Sequence, residues 1–302
     1  MKIFFLLLTT LCSFLTVCGQ APKERLKASL EELLKTQKVQ AGIALIIDGK
    51  DTLTLHNEVH YPMMSVFKFH QALAVVDCLQ RQGISLDTTL HIRKEELKEN
   101  THSPLRDRYP EENVVLSVAD LLTYTLKWSD NNACDILFDR IIGTKETEAY
   151  IRSLGIEDFR ITANEDDMHR EWELCYENWS TPLAAAQLLE LFINEKTVTG
   201  PYYTFIRRTM TGCTTGKDRL SAAITDSQTI IGHKTGTGDR NPQGELIGIN
   251  DIGFIFPAEG SRYTLAVFLK DSKESDADTA ALIGKISKMI LEYVTQQNQS
   301  LK

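Results

Sequence analysis

The chain has 302 residues, of which 42% are hydrophobic and 25% are charged, a composition typical of globular proteins. Its formal net charge is −8 and it has no basic run, so nothing in it suggests nucleic-acid binding. The length is sufficient for one large domain or for two closely associated ones.

The first 20 residues are typical of a secretory signal peptide. Lys2 supplies the positive charge, residues 3–17 form a nearly unbroken apolar stretch, and residues 19–21 include small residues suited to cleavage. The apolar stretch is short for a membrane-spanning helix, and polar sequence follows it. We therefore expect export to the periplasm. Lipidation at Cys18 is the less favoured alternative, because Val17 is bulky.

After the signal, the first predicted elements are a helix and two strands. Residues 22–38 carry leucines on one stripe of an amphipathic helix. Residues 42–47 form an apolar run typical of a buried strand, and residues 52–56 return as a second strand after an Asp-Gly turn.

The stretch from residue 65 to about residue 212 has mainly helical periodicity. Residues 65–80 are apolar on nearly all sides, which indicates a buried helix. Ser117 is placed to cap another helix, and Thr181, which is followed by proline, is placed to cap a third.

Strand patterns return in the last third of the chain. Strands are predicted at residues 229–235, 251–256 and 263–269, followed by a helix over residues 276–296. The two ends of the chain would then build one antiparallel sheet flanked by helices. We therefore predict an α/β fold in which residues 21–60 and 213–302 form an α/β domain, residues 61–212 form an all-helical domain, and the binding site lies between them.

Cysteine and histidine spacing gives no sign of a metal site. Four cysteines follow the signal, without a C-x-x-C string, and the seven histidines form no H-E-x-x-H string. Cys78 and Cys134 fall in apolar helical runs and are predicted to be buried free thiols. We expect neither a metal nor another cofactor.

Three short strings carry the candidate chemistry. The first is Ser65-Val66-Phe67-Lys68, which on a helix places the serine hydroxyl and the lysine amine on one face. The amine can then hydrogen-bond the serine oxygen, and can accept its proton if a neighbouring positive group lowers the lysine pKa. The N–H of Ser65, near a helix start, could supply half of an oxyanion hole. Taken alone, the string is more typical of a capping serine beside a solvated lysine.

The second string is Ser129-Asp130-Asn131, between two helical segments. Ser129 could pass a proton to a leaving nitrogen, and Asn131 offers its amide to a substrate amide. Asp130 suits a carboxylate that orients the loop better than a catalytic one. The alternative is a simple capping turn.

The third string is Lys234-Thr235-Gly236-Thr237, at the end of a predicted strand. Gly236 would let another backbone approach the strand edge, and the N–H of Thr237 could be the second oxyanion donor. Lys234 and the hydroxyls of Thr235 and Thr237 suit a substrate carboxylate. The alternative is an edge strand protected by lysine.

In this order, the S-x-x-K, S-D-N and K-T-G strings resemble those of the class A serine β-lactamases and the penicillin-binding proteins. Their spacing is similar to that of class A, and residues 62–70 and 232–241 look like the cephalosporinase branch of Bacteroides-like bacteria. The resemblance covers nearly all of the chain after the signal. It implies a monomeric enzyme that hydrolyses the amide of β-lactam antibiotics through a Ser65 acyl-enzyme, prefers cephalosporins and confers resistance.

The resemblance also implies a deacylating base on an Ω-shaped loop. The family string E-x-x-L-N corresponds to residues 165–169, so that Glu165 would activate the hydrolytic water. His169 stands where the family has an asparagine that helps to hold this water. Asp166 and Asp167 are adjacent alternatives for the base.

The usual Arg–Asp bridge of this loop would need residues 163 and 178, which here are Ala163 and Asn178. We therefore expect the loop to fold differently from that of the commonest relatives. Arg219 matches a family arginine that helps to bind the substrate carboxylate, with a surface arginine as the alternative. His102 falls where relatives often have an aromatic gate, although histidine is also common on loops.

In the implied mechanism, Lys68 or a Glu165-bound water deprotonates Ser65, and Ser129 protonates the lactam nitrogen. Two other classes share this nucleophile. A penicillin-binding transpeptidase or carboxypeptidase lacks the deacylating base, and a β-lactam sensor acylates once and signals to a partner. The Glu165 string argues against the first class, and the lack of a second apolar span in the sequence argues against the second.

Overall fold

The structure, a computed structural model, describes residues 21–111 and 113–299. The predicted signal peptide lies outside the described residues. None of the helices within these ranges is long and apolar enough to cross a bilayer.

The described helices and strands follow the predicted order. The helices are α1 (Pro22–Lys35), α2 (Phe67–Gln82), α3 (Pro104–Arg108), α4 (Val118–Lys127), α5 (Asn131–Arg140), α6 (Thr144–Ser153), α7 (Glu165–Arg170), α8 (Pro182–Ile193), α9 (Gly200–Thr211) and α10 (Asp276–Gln299). The strands are β1 (Gln40–Ile47), β2 (Asp51–Leu55), β3 (Tyr61–Pro62), β4 (Thr89–Ile92), β5 (Val114–Ser117), β6 (Phe159–Arg160), β7 (Trp179–Ser180), β8 (Ile230–Thr237), β9 (Leu246–Phe256) and β10 (Tyr263–Ser272).

Five antiparallel strands form the main sheet, in the order β2-β1-β10-β9-β8. Strand β1 pairs with β10 along its whole length, from Gln40 opposite Lys270 to Ile47 opposite Tyr263. Both ends of the described chain therefore share one sheet, as the sequence predicts. Strand β8, which carries the Lys-Thr-Gly string, lies at an edge of this sheet.

Side-chain alternation along β1 divides the core into two clusters. Ile43 and Leu45 join residues of α1 and α10 on one face of the sheet. Ala44 and Ile46 belong to a larger cluster on the other face, which contains most of the buried side chains of the central helices. The sheet is thus covered on both faces, as the apolar character of its strands requires.

The central lobe is mainly helical but also contains short strands, which the sequence did not predict. Strands β4 and β5 pair with each other, and β3, β7 and β6 form a second small sheet. These strands are only two to four residues long. A run of this length is too short to show a recognisable two-residue alternation. The predicted caps at Ser117 and Thr181 are confirmed, since both hydroxyls accept a backbone N–H at a helix start.

The predicted buried helix is α2, where every residue from Phe67 to Val76 is buried. It ends at Gly83, whose φ of 67° lies in the left-handed region that favours glycine. Cys134 is a buried free thiol, as predicted, but Cys78 on α2 is only partly buried. The prediction of burial was wrong for Cys78 because this side chain faces an open groove beside α5 and α6.

His70 on α2 is a wholly buried polar residue, beside the rings of Phe69 and Phe159. Neither ring nitrogen makes a well-formed hydrogen bond with any described residue. Burial lowers the pKa of His70 to about 4, and the nearby backbone of Val66 opposes this only in part. The folded protein therefore keeps His70 neutral where the unfolded chain would protonate it.

Replacing this histidine by an apolar ring, His70→Phe, should make the protein less sensitive to acid. The unfolded chain protonates this histidine below its ordinary pKa of 6.5, whereas the folded protein does so only near its pKa of about 4. The free energy of unfolding therefore falls as the pH drops from 6.5 towards 4. Wild type should lose up to about 3 kcal/mol relative to the variant over this range, at 1.36 kcal/mol per pKa unit. The free energy of urea unfolding at several pH values measures this.

The matched control is His91→Gln, because His91 is exposed. Its plot of unfolding free energy against pH should run parallel to that of wild type. A His70→Phe curve that also runs parallel to wild type would show that His70 does not titrate in this range.

Candidate active site

The three motif strings meet around Ser65 and Lys68. Ser65 lies in a short 3-10 turn, Met64–Val66, that leads directly into α2. It is therefore not within the α-helix, where the sequence placed it. Lys68 lies one turn further on, and its Nζ donates a hydrogen bond of 3.1 Å to Ser65 Oγ.

Lys68 is fully buried and is the central contact of the site. Its Nζ also donates to the Ser129 carbonyl at 2.8 Å and to Asn131 Oδ1 at 2.5 Å. It forms an ion pair of 2.8 Å with Glu165 Oε1. A buried ammonium group must be paired and hydrogen-bonded to be tolerated, so these contacts draw three remote segments together.

The Ser129-Asp130-Asn131 string forms the connection between α4 and α5. Ser129 has a φ of 60°, a strained value for a residue other than glycine. Asp130 caps α5 through Ala133 N, and it also accepts hydrogen bonds from Ser103 Oγ and Leu105 N. Its carboxylate thus orients the loop, as the sequence indicated.

Lys234 approaches Ser129 from the opposite side. Its Nζ donates to Ser129 Oγ at 2.9 Å and to the Thr235 carbonyl at 2.8 Å. The side chain is fully buried, and burial together with the charge of Lys68 lowers the pKa of Lys234 to about 7. Two buried lysines therefore flank the hydroxyls of Ser65 and Ser129.

Gly236 brings β8 against the turn that carries Ser65. A Cβ atom built on Gly236 would lie only 2.5 Å from the Met63 carbonyl oxygen. The approaching backbone expected from the sequence is therefore that of the protein's own Met63. Asn250 supports the same turn, because its Nδ2 donates to the carbonyls of Pro62 and Met63 at 2.8 and 3.0 Å.

Arg219 lies beneath the end of β8 and is not a surface arginine, since only 7% of it is exposed. Its Nη1 donates to the carbonyls of Gly236 and Asn250, and its Nη2 donates to Thr237 Oγ1 at 2.6 Å. Nearby, the hydroxyls of Thr215 and Thr235 lie 2.6 Å apart. This region therefore presents hydroxyls backed by a buried cation.

Glu165 is the first residue of α7, on the loop that closes the site. Its Oε1 lies 3.3 Å from Ser65 Oγ, within hydrogen-bond reach. The two alternative carboxylates have other partners: Asp166 pairs with Lys98 at 2.6 Å, and Asp167 pairs with Arg170 at 2.5 Å. Of these three carboxylates, that of Glu165 is the one within hydrogen-bond reach of Ser65 Oγ.

Asn178 holds this loop where an Arg–Asp bridge is missing. Its Oδ1 accepts the backbone N–H groups of Thr162 and Ala163, and its Nδ2 donates to the Ala163 carbonyl. A buried amide thus replaces an ion pair at the base of the loop. His169 is exposed and lines a side cavity of about 160 Å³ next to Glu165.

Asp135 is a functional candidate that the sequence reasoning missed. This α5 residue is buried, and its two carboxylate oxygens accept the backbone N–H groups of Glu165 and Asp166 at 2.9 and 3.0 Å. Burial and the charge of Glu165 raise the pKa of Asp135 to about 7. The available signal was an acidic residue within the apolar run 133–138, which would bury it.

A cavity of about 420 Å³ opens above these groups. It is lined by Ser65, Ser129, Asn131, Glu165, Thr235 and Thr237, and the exposed His102 lies beside them. A larger groove of about 930 Å³, beside α2, α5 and α6, contains none of these residues. Within the described ranges, no cluster of three or more histidine, cysteine or acidic side chains is suited to a metal ion.

Truncating the carboxylate beneath the loop, Asp135→Ala, should destabilise the protein. The change leaves two backbone N–H groups at the start of α7 without their acceptor, so the free energy of unfolding should fall by about 2 to 4 kcal/mol. Urea denaturation measures the loss.

Asp139→Ala is the control, because Asp139 lies one turn along the same helix but is exposed. It should change stability by less than about 0.5 kcal/mol. Equal effects of the two substitutions would contradict a role for Asp135 in holding the loop.

Comparison with known proteins agrees with this geometry. Residues 24–294 match the model of the β-lactamase enzyme family. A β-lactamase of Bacteroides uniformis is 38% identical over 299 residues, covering 97% of this chain and 99% of the relative.

Two solved structures have the same fold. The TLA-1 extended-spectrum β-lactamase superposes with a TM-score of 0.88 at 39% identity, covering 91% of this chain and 100% of that one. A class A β-lactamase from Bacteroides cellulosilyticus also has a TM-score of 0.88, at 38% identity and with 92% and 100% coverage. Since the family match, the relatives and the architecture agree, the chain belongs to the class A β-lactamases, enzymes that hydrolyse β-lactams.

Proposed function

We propose that this β-lactamase works through a covalent acyl-enzyme on Ser65. The observation that carries the proposal is the position of Ser65 Oγ, 3.1 Å from Lys68 Nζ and 3.3 Å from Glu165 Oε1. A serine hydroxyl is a weak nucleophile unless a neighbouring base removes its proton. Lys68 and Glu165, the two candidate bases, both lie within reach of the Ser65 oxygen.

In the first half of the reaction, Ser65 Oγ attacks the lactam carbonyl carbon. The serine proton passes to Lys68 or to a water molecule held by Glu165, since Lys68 Nζ and Glu165 Oε1 both lie next to Ser65 Oγ. The N–H groups of Ser65 and Thr237 stabilise the negative charge that develops on the carbonyl oxygen.

Ser129 then protonates the lactam nitrogen as the ring opens. Lys234 Nζ donates to Ser129 Oγ, so the hydroxyl hydrogen of Ser129 is directed elsewhere and is available to the leaving nitrogen. The proton taken from Ser65 passes on through Lys68 to Ser129, which restores the Ser129 hydroxyl and leaves Glu165 as a carboxylate. In the second half, Glu165 removes a proton from the water that attacks the ester carbonyl, and Ser65 Oγ leaves and takes up that proton. His169 helps to position this water.

The remaining contacts suit the two polar ends of a β-lactam. The substrate carboxylate binds to the hydroxyls of Thr235 and Thr237, with the charges of Lys234 and Arg219 behind them. Gly236 and Asn131 bind the amide side chain of the β-lactam. Asn131 Nδ2 donates one of its two hydrogens to Thr101 Oγ1 and retains the other for the substrate.

Replacing the base by an isosteric amide, Glu165→Gln, should trap the acyl-enzyme. Lys68 can still accept the proton of Ser65 in this variant, so the ester should form. The amide cannot accept a proton from water, so hydrolysis of the ester should slow by about 10³-fold or more. Mass spectrometry after exposure to a chromogenic cephalosporin should then find the protein with one opened drug molecule attached. Ser65→Ala should form no adduct at all.

Asp167→Asn is the matched control, because this neighbouring carboxylate pairs with Arg170 and not with Ser65. It should turn over the drug within about threefold of the wild-type rate. If Glu165→Gln hydrolyses the drug as fast as wild type, Glu165 is not the base.

We also propose that cephalosporins are the preferred substrates. Thr237 carries a hydroxyl beside the carboxylate site, and the side cavity next to Glu165 leaves room for a bulky acyl group. The similar TLA-1 enzyme is described as an extended-spectrum β-lactamase. The expected kcat/KM for a cephalosporin exceeds that for benzylpenicillin by about tenfold or more, an advantage of about 1.4 kcal/mol. A ratio below one would contradict this preference.

We further propose that residues 1–20 direct export to the periplasm and are removed there, and that the mature enzyme is a monomer that confers antibiotic resistance. The mass of the protein recovered from the periplasm reports cleavage or lipidation at Cys18, and its sedimentation reports the oligomeric state.

A further inference from the structure

The face of β8 that carries the proposed carboxylate site also carries a buried ion pair that the proposed mechanism does not use. His233, Thr235 and Thr237 alternate along β8, so their side chains lie on one face of the sheet. Asp251 on β9 is the partner of Thr235 in the antiparallel register. Residues directly opposed in this way have Cβ atoms about 5 Å apart. The Asp251 side chain therefore lies close to the hydroxyls that would meet the substrate carboxylate.

Asp251 is fully buried and accepts hydrogen bonds from two groups. His233 Nδ1 lies 3.0 Å from Asp251 Oδ1 and 2.9 Å from Oδ2. The backbone N–H of Leu220 donates to Oδ2 at 3.1 Å. A carboxylate without access to water is tolerated as an anion only when a cation pairs with it. His233, which is only 3% exposed, is therefore the counter-ion of Asp251.

The imidazole of His233 is charged in the folded protein. Burial alone would lower the pKa of His233, but the charge of Asp251 and the hydrogen bond to it raise this pKa to about 10. The ring is an imidazolium at neutral pH, so the His233–Asp251 pair as a whole carries no net charge.

Without this counter-ion, the charge of Asp251 would oppose the substrate. Burial lowers the pKa of Arg219 and of Lys234, and the charge of Asp251 acts against this lowering in both. The carboxylate thus already interacts with the two cations assigned to the substrate carboxylate. An unpaired anion in this position would offset both positive charges and would repel a second carboxylate, and the low local dielectric strengthens both effects.

We propose that His233 is a specificity-determining residue, which neutralises Asp251 and so leaves the buried cations of the carboxylate site free to bind an anionic substrate. The inference rests on the proposed function, because it takes the end of β8 as the carboxylate site. His233 does not touch the substrate in this account. It acts through the electrostatic potential at the site, so the effect of replacing it depends on the charge of the substrate and on that of Asp251.

The dependence on substrate charge is tested with a chromogenic cephalosporin that has one carboxylate, and with the methyl ester of that carboxylate. His233→Asn should raise KM for the acid by about tenfold and change kcat by less than about threefold, as expected for lost ground-state binding. KM for the ester should stay within about twofold of the wild-type value, because the ester carries no charge to repel. An unchanged KM for the acid, or an equal rise for acid and ester, would overturn the proposal.

The dependence on Asp251 is tested by removing both charges. The double variant His233→Asn, Asp251→Asn should recover a KM for the acid within about threefold of wild type, because no unpaired anion remains. A double variant that binds the acid as weakly as His233→Asn would show that the charge of Asp251 is not the cause. Arg262→Gln is the matched control, since it removes the cation of another largely buried ion pair, with Glu190, whose residues do not line the active-site cavity. It should leave the ratio of the two KM values unchanged.

A measurement on the wild-type enzyme does not depend on the folding of any variant. The nitrogen chemical shifts of the His233 imidazole at neutral pH should be those of an imidazolium, and those of a neutral ring would overturn the proposal. The wild-type kinetics separate this inference from the one beneath it. Equal KM values for acid and ester in wild type would overturn the carboxylate site itself, whereas a wild-type preference for the acid that survives in His233→Asn would overturn only the role of His233.

Discussion

The buried charge of Lys68 is the constraint on which the rest of the site depends. An ammonium group with no exposure to water is tolerated only when its hydrogens are all engaged. Lys68 meets this need with oxygens from Ser65, Ser129, Asn131 and Glu165, which come from three segments far apart in the chain. Folding around this cation therefore assembles the proposed nucleophile, proton donor and base together.

A second group of buried charges lies beneath β8. Lys234, Arg219 and the His233–Asp251 pair are all at least nine-tenths buried. Arg219 and His233 are cationic at neutral pH, and Lys234 is partly charged there, so these side chains favour an anionic substrate. The low local dielectric strengthens each of these interactions, and it also lowers the pKa of Lys234 to about 7.

Short motifs predicted most of the site, because serine, lysine and glutamate in these strings have distinctive chemistry. The main sheet was also predictable, since its strands are long enough to show apolar runs. Asp135 and Asn250 were missed, because each acts on a backbone remote in sequence and belongs to no string. The short strands of the helical lobe and the exposure of Cys78 were missed for a similar reason: tertiary contacts decide them. The lack of an Arg–Asp bridge in the Ω loop could be anticipated from Ala163 and Asn178, but not the amide hydrogen bonds that Asn178 makes there.

The Lys68–Glu165 ion pair joins α2 to the Ω loop, and the assembly of the site rests on it. A double-mutant cycle with Lys68→Met and Glu165→Gln tests this most directly, with unfolding free energies from urea denaturation. We predict that the two substitutions are not additive and that the coupling energy is at least about 1 kcal/mol in favour of the native pair. Additivity within about 0.3 kcal/mol would mean that the pair does not hold the two segments together, and would contradict this role.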